Sequence, residues 1–220
     1  MRQLTEIKVD STKTLTTLIF LLPLFFTTPS FALFFNFDDN KKPQEWKEEG
    51  GKWKVENKVY IGEELNAVEG VTLIGEANWT DVTFEATIRN AEGNWMALVV
   101  RWKDVNNHCG LWVNLGNSTA EWWVKTGAYA QQDVGAIKLN KEKYKLKIVV
   151  KGDTFEGYYN DKLVATMKHG VHKQGRVGLL VWQGSSSFDD VSITGPGIPG
   201  LAVNPEGKLA STWARIKTSY

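Results

Sequence analysis

Cysteine and histidine are scarce in this chain of 220 residues, which has one cysteine, Cys109, and three histidines. A single cysteine cannot form an internal disulfide, so the fold must be held by apolar burial, a bound ion or a partner. Cys109 directly follows His108, and neighbouring residues on a strand face opposite sides, so we interpret it as a small buried side chain and not as a nucleophile. His169 and His172 have no carboxylate spaced with them as zinc ligands require. Nucleotide-binding loops and serine nucleophile elbows are also absent from the sequence.

An excess of charge of either sign is absent as well. The chain has 26 Lys and Arg against 25 Asp and Glu, a formal net charge of +1 at pH 7. Proteins that bind nucleic acid or anionic lipid carry a marked basic excess on one surface. The composition therefore predicts no nucleic-acid partner.

Long apolar runs are missing except near the start of the chain. There the run TLIFLLPLFF at 17–26 follows several basic residues, and SFA at 30–32 supplies the small residues that a signal peptidase cleaves after. A membrane anchor is the alternative, but a spanning helix needs roughly 20 apolar residues and Pro23 interrupts this run. The pattern predicts a cleaved signal peptide over residues 1–32, no membrane span after cleavage, and a secreted or periplasmic location.

Short segments with the alternating pattern of β-strands follow one another from Trp53 to Thr194, separated by turn residues. In YKLKIVV, for example, Tyr144, Leu146 and Ile148 share one face. The predicted strands are 53–60, 69–75, 79–89, 95–102, 109–115, 120–126, 143–150, 154–160, 162–167, 175–183 and 187–194. Many short strands without helices between them predict an all-β, antiparallel sandwich or barrel over residues 33–195.

The end of the chain, residues 196–220, has a different composition. The segment GPGIPG at 195–200 cannot continue a strand and marks a linker. Beyond it, Leu209, Trp213 and Ile216 are spaced to lie along one side of a short helix, which would be marginal in water by itself. The segment is either a frayed tail or a docking tag that folds on a protein partner.

Six segments, taken in order, resemble the concanavalin A-like lectin and glucanase superfamily. They are FNFDD at 35–39, EWKEEGGKWKVENKVYIG at 45–62, NWTDVTFEATIR at 78–89, ALVVRWKDVNN at 97–107, YKLKIVVKGDTFEGYYNDKLV at 144–164 and GRVGLLVW followed by SSSFDDVSIT within 175–194. The nearest shape is the laminin G-like jelly roll of bacterial sugar-binding modules and of the 3-keto-disaccharide hydrolase domain. The resemblance implies a two-sheet jelly-roll sandwich in which the outer face of one sheet forms a shallow groove.

The stretch NWMALVVRW at 94–102 is apolar on both faces, which favours a central strand of that sheet. Strict alternation places Trp95 and Arg101 in the groove, and Val100 and Trp102 in the interior. A guanidinium beside an indole suits a sugar, because it donates hydrogen bonds to hydroxyls while the ring stacks on C–H groups. Alternatively, Arg101 is structural and is stacked on Trp95 or paired with a glutamate of a neighbouring strand, Glu85 or Glu121.

Tryptophan is abundant, with ten in the chain. Trp122 and Trp123 are adjacent on one predicted strand, so at least one of them faces away from the core. The resemblance favours Trp95, Trp123 and Trp182 as sugar-stacking residues and Tyr129 as a lid. The alternative is that all of them are packing residues under loops.

Acidic pairs occur near both ends of the predicted domain, in FDD at 37–39 and again at 188–190. Jelly rolls of this superfamily often hold a structural calcium between their first and last strands. The resemblance therefore implies calcium ligands at Asp38, Asp39, Asp189 and Asp190, whose oxygens suit a hard cation. Alternatively these aspartates cap loops through their own backbone.

Catalysis is weakly indicated. The E-x-D-x-x-E run of the superfamily's retaining glucanases does not occur, which leaves Glu85 and Glu121 as candidates for a carboxyl pair on the groove. The sequence therefore predicts an exported, noncatalytic carbohydrate-binding or adhesive protein with a saccharide or glycan as its partner. The alternatives are a glycoside hydrolase of the 3-keto-disaccharide hydrolase type and a plain structural module that carries the C-terminal tag.

Overall fold

A computed structural model describes residues 32–199, and the predicted signal peptide and C-terminal tail lie outside this range except for a few residues at its edges. Within it the chain forms strands and turns only, so no helix there is long and apolar enough to cross a membrane. The strands are β1 (Ala32–Phe35), β2 (Lys47–Glu48), β3 (Lys52–Glu56), β4 (Val59–Glu64), β5 (Gly70–Ile74), β6 (Val82–Asp104), β7 (Asn107–Asn114), β8 (Thr119–Thr126), β9 (Ala128–Ala136), β10 (Lys143–Lys151), β11 (Thr154–Tyr159), β12 (Lys162–Lys168) and β13 (Arg176–Thr194).

Two strands, β6 and β13, are long enough to take part in both layers of the molecule, with 23 and 19 residues. Residues 95–102 of β6 and 176–182 of β13 pair within a front sheet, in the order β2-β5-β13-β6-β7-β8-β9. Residues 82–89 of β6 and 184–194 of β13 pair within a back sheet, in the order β12-β11-β10-β6-β13-β4-β3. Strand β1 pairs with the last residues of β13. Every pairing is antiparallel, and the predicted all-β sandwich is confirmed.

The core lies between the two sheets and is built from alternate residues of their facing sides. Trp122 of β8 is fully buried, packs edge-to-face on Phe155 of β11 at 5.6 Å between ring centroids, and donates from Nε1 to the Ala165 carbonyl at 3.2 Å. Gly157 of β11 lets the two sheets approach closely, because a Cβ there would lie 2.6 Å from Leu111 of the opposite sheet. Burial of a large side chain contributes about 1.5–3 kcal/mol, so such contacts carry much of the stability.

A β-bulge interrupts β6 at Arg101. This residue has φ of 51°, and the ladder with β7 is irregular between Val100 and Asp104. Val100 faces the core as the alternation predicts, but Arg101 is buried on the same side and Trp102 joins the apolar cluster on the opposite face. A bulge adds one residue to a strand and so reverses the facing of the residues after it. The predictions that Arg101 lies in the groove and Trp102 in the interior are therefore wrong.

Candidate functional site

A second apolar cluster covers the outer face of the front sheet, separate from the core. At its base Leu73, Val99 and Leu180 project outward from the central strands β5, β6 and β13. Tryptophans lie above and beside them: Trp102 and Trp112 are buried, and Trp95, Trp123 and Trp182 are partly buried. The outer face of an antiparallel sheet usually carries polar side chains. An indole-rich outer face is typical of a surface that receives a ligand or a partner.

A cavity of about 490 Å³ opens over this cluster, and we call it the tryptophan pocket. Its volume lies in the range of roughly 300–1,000 Å³ that small-ligand sites occupy. The lining residues are aromatic or aliphatic apart from one acid and one base: Ala67, Val68, Glu69, Trp95, Val105, Trp112, Trp123, Lys125, Tyr129 and Trp182.

The rings of the tryptophan pocket meet at steep angles. Trp95 lies at the centre, 6.0 Å from Trp112 with 82° between ring planes and 6.3 Å from Trp123 with 87°. Trp182 lies 6.5 Å from Trp95 at 47°. Edge-to-face contacts of this kind are favourable and hold each ring in place. The indoles therefore form the walls of a concave site and not one flat platform.

A charged pair lies at one side of the tryptophan pocket. Lys125 Nζ is 2.5 Å from Glu69 Oε1 and 4.6 Å from the centroid of the Tyr129 ring. Tyr129 donates its hydroxyl proton to the same Glu69 oxygen, also at 2.5 Å. The side chains of Lys125 and Glu69 are only 13% and 7% exposed, so solvent screens their interaction little. This pair supplies the ionisable groups of an otherwise apolar wall.

Glu121 lies behind one wall of the tryptophan pocket and does not line it. Its carboxylate is buried and accepts hydrogen bonds from Trp123 Nε1 at 3.0 Å and Gln131 Nε2 at 2.6 Å. Thr119 and Asn114 also donate to it. Glu121 shares the outer face of the front sheet with Trp112 and Trp123, as predicted, and its contacts fix the orientation of the Trp123 ring.

Comparison with protein-family models gives no match, and comparison with curated protein sequences gives none. Solved structures do match. Carbohydrate-binding module CBM66 from Bacillus subtilis superposes with a TM-score of 0.62 at 25% identity, covering 69% of this chain and 96% of that one. The β-glucanase of Bacillus licheniformis gives 0.57 at 7% identity, covering 76% and 99%. The carbohydrate recognition domain of Emp47p gives 0.56 at 13% identity, covering 78% and 96%.

These structures share the overall fold of this chain. The chain has the concanavalin A-like jelly-roll fold. The resemblance found in the sequence is confirmed as to fold.

Of the residues predicted to bind ligand in the jelly roll's groove, Trp95, Trp123, Trp182 and Tyr129 come together around the tryptophan pocket. Tyr129 lies on β9 and not in a loop, and its ring contacts Trp112 at 5.6 Å and Trp123 at 6.0 Å between centroids. Their role in binding stays a prediction.

Two other predicted residues lie elsewhere in the jelly roll. Arg101 is 2% exposed in the interior, where it donates to the carbonyls of His172 and Gly152. Glu85 lies on the part of β6 that belongs to the back sheet and forms salt bridges with Lys145 and Lys147. Neither lines the tryptophan pocket.

Three of the four aspartates predicted as calcium ligands have local partners near the ends of the jelly roll. Asp39 accepts a hydrogen bond from the backbone of Lys41, and Asp189 pairs with Arg89 and with the backbone of Asp190. Asp38 accepts from Asn36. Among residues 32–199 no group of three or more His, Cys, Asp or Glu side chains is arranged to hold a metal ion. A structural calcium stays a prediction of the resemblance.

Glu69 was not predicted from the sequence as a site residue. It lies 56 residues from Lys125 and 60 from Tyr129, and only the pairing of β5, β13, β6, β7, β8 and β9 brings the three side chains together. Its one local signal is its position directly before β5, whose residues are all buried.

His108 lies behind Tyr129 and is fully buried. Its ring stacks on Trp102, with 4.2 Å between centroids and 16° between planes. Its Nδ1 lies 3.4 Å from the Asp104 carbonyl oxygen, and its Nε2 lies 3.3 Å from the Tyr129 hydroxyl oxygen. Burial lowers the pKa of His108 to about 3, so the ring is neutral at neutral pH.

We expect acid to destabilise the protein through His108. The unfolded chain binds a proton at this residue near pH 6.5, whereas the native state does so only near pH 3, so the free energy of unfolding falls as the pH falls between these values. Lowering the pH from 7 to 4.5 should remove about 2–3 kcal/mol through this residue. Urea unfolding at both pH values should show a smaller loss for His108→Phe than for the unaltered protein. Burial also lowers the pKa of His169, so part of the slope should persist in the variant. Equal losses in the two proteins would contradict this assignment.

Proposed function

We propose that this protein is an extracytoplasmic, noncatalytic carbohydrate-binding or adhesive protein that holds a saccharide in the tryptophan pocket. The observation that carries the proposal is the concave set of indoles with a charged pair at one side, on the outer face of the front sheet. Indole faces pack on the C–H surface of a sugar ring, while a carboxylate and an ammonium group bond to its hydroxyls. The similar folds of a carbohydrate-binding module and of a carbohydrate recognition domain support it.

The noncatalytic part of the proposal is supported by the carboxylates at the site. Hydrolysis of a glycosidic bond generally uses two carboxyl groups, about 5–10 Å apart, that flank the bond. Of the residues that line the tryptophan pocket, all within the described range, Glu69 alone carries a carboxylate. Glu121 is engaged by four donors behind Trp123. The hydrolase of the 3-keto-disaccharide hydrolase type stays the alternative.

The location and the tail are further parts of the proposal. The basic and apolar pattern of residues 1–32 supports export to the periplasm or the medium. The spacing of Leu209, Trp213 and Ile216 supports a protein partner for the C-terminal tail.

The experiment is a glycan array probed with the full exported chain, together with an assay for released reducing sugar. We expect retention on at least one saccharide class without release of reducing ends. Release of reducing ends would favour the hydrolase. Retention on no saccharide would contradict the proposed function.

A further inference from the structure

Two residues that line the tryptophan pocket each have a buried polar atom without a hydrogen-bond partner among the described residues. The atoms are Glu69 Oε2 and Trp112 Nε1. Glu69 Oε1, in contrast, already accepts from Lys125 and Tyr129. Native proteins satisfy nearly all buried polar groups, and an unsatisfied one at a cavity wall marks a group that a ligand can complete.

The two atoms belong to the same part of the site. The Trp112 ring packs edge-to-face on Tyr129 at 5.6 Å, and the Tyr129 hydroxyl bonds to Glu69. The Trp112 indole packs closely over Gly110, because a Cβ there would lie 2.7 Å from Trp112 Nε1. The last torsion of a glutamate is soft, so a small rotation can turn Oε2 of Glu69 toward the cavity.

The chemistry of these atoms distinguishes classes of ligand. Glu69 Oε2 can only accept a hydrogen bond, and Trp112 Nε1 can only donate one. A ligand carboxylate only accepts and would leave Glu69 unsatisfied, while a ligand ammonium only donates and would leave Trp112 unsatisfied. Hydroxyl groups do both, so a hydroxyl-rich ligand satisfies both atoms.

The charges of the site favour the same class of ligand, one rich in hydroxyl groups and without charge. Lys125 and Glu69 neutralise each other within the wall, so the tryptophan pocket offers no free counter-ion. A charged ligand group would lose its water among indoles and meet one attractive and one repulsive charge at similar range. A neutral ligand avoids this desolvation.

We propose that the tryptophan pocket selects neutral saccharides over uronates and amino sugars, and that Glu69 and Trp112 bond to the ligand's hydroxyl groups. This inference rests on the proposed function and adds the substrate class.

The first test uses the unaltered chain on immobilised neutral polysaccharides, polyuronates and polymers of amino sugars. We expect the neutral polymers to retain the protein most strongly, with little change between low and high salt, because no ligand charge takes part. Retention on polyuronates or amino-sugar polymers alone would overturn the inference and leave the proposed function standing. Retention on none would overturn both.

The second test measures, by calorimetry, the affinity for an oligosaccharide of the best-retained neutral polymer. Trp112→Phe and Glu69→Gln should each weaken binding by roughly ten-fold or more, because each removes a hydrogen-bonding atom and leaves a ring or a side chain of similar shape. Glu69→Gln also frees Lys125 from its partner, so uronate binding should rise relative to neutral binding.

Matched controls are available in the same chain. Trp46 also has a buried, unpartnered Nε1, but it lies in the core among Phe35 and Tyr60. Trp46→Phe and Glu85→Gln should leave the affinity unchanged, with melting curves to confirm folding of every variant. Unchanged affinity in folded Trp112→Phe and Glu69→Gln would overturn the inference.

Discussion

Replacing Arg101 with alanine is expected to lower the free energy of unfolding by about 3–5 kcal/mol. The guanidinium is buried 4.8 Å from the centroid of the Phe155 ring. It donates to the carbonyls of Thr80 before β6, Gly152 between β10 and β11, and His172 between β12 and β13. Its hydrogen bonds therefore link the bulge in β6 to three segments that lie between strands. Its removal leaves these carbonyls without a charged donor and opens a cavity beside the phenyl ring.

Urea unfolding followed by tryptophan fluorescence measures this effect. Arg101→Lys should recover little of the loss, because an ammonium cannot reproduce the planar fork of donors. Arg176→Ala is the control, since that guanidinium pairs with Glu49 near the surface and should contribute about 1 kcal/mol or less. A loss below about 1 kcal/mol in Arg101→Ala would contradict the structural role given to this residue. The folded fraction of Arg101→Ala should keep its glycan affinity, because Arg101 does not line the tryptophan pocket.

Replacing Trp123 with alanine is expected to weaken glycan binding by about 30-fold or more, the effect of removing a central aromatic contact. Trp123 is well placed for this contact, because Trp95, Tyr129 and the Glu121 hydrogen bond hold its ring. Calorimetry with the best-retained glycan of the array measures the change. Phe34→Ala is the control, since Phe34 is also exposed and aromatic but lies on β1. An unchanged affinity in a folded Trp123→Ala would exclude the tryptophan pocket as the binding site.

The sandwich could be predicted because many of its strands alternate between apolar and polar side chains, as strands between a core and water do. The same rule required Trp122 and Trp123 to face opposite sides, and the structure has Trp122 in the core and Trp123 outside it. Turns that interrupt an alternating segment were harder to predict. The predicted strand 53–60 is a hairpin of β3 and β4, with φ of 53° at Asn57 and 63° at Lys58. Strand β9 was missed because its sequence, AYAQQDVGA, is small and polar and pairs only with β8.

The candidate site was only partly predictable, for two physical reasons. Each aromatic residue of the tryptophan pocket can be predicted from its own strand, because an indole on the outer face of a sheet is unusual wherever it occurs. Arg101 could not be placed, because a bulge depends on backbone conformation that the alternation of side chains does not encode. Glu69 could not be placed either, because its partners come from β8 and β9, far along the chain.

Strands β6 and β13 run through both sheets, and this continuity makes the molecule one cooperative unit. Because the same two strands pair in both sheets, we expect the two sheets to open together. Ligand bound at the front should therefore slow amide hydrogen exchange across the back sheet as well, although no ligand atom touches it.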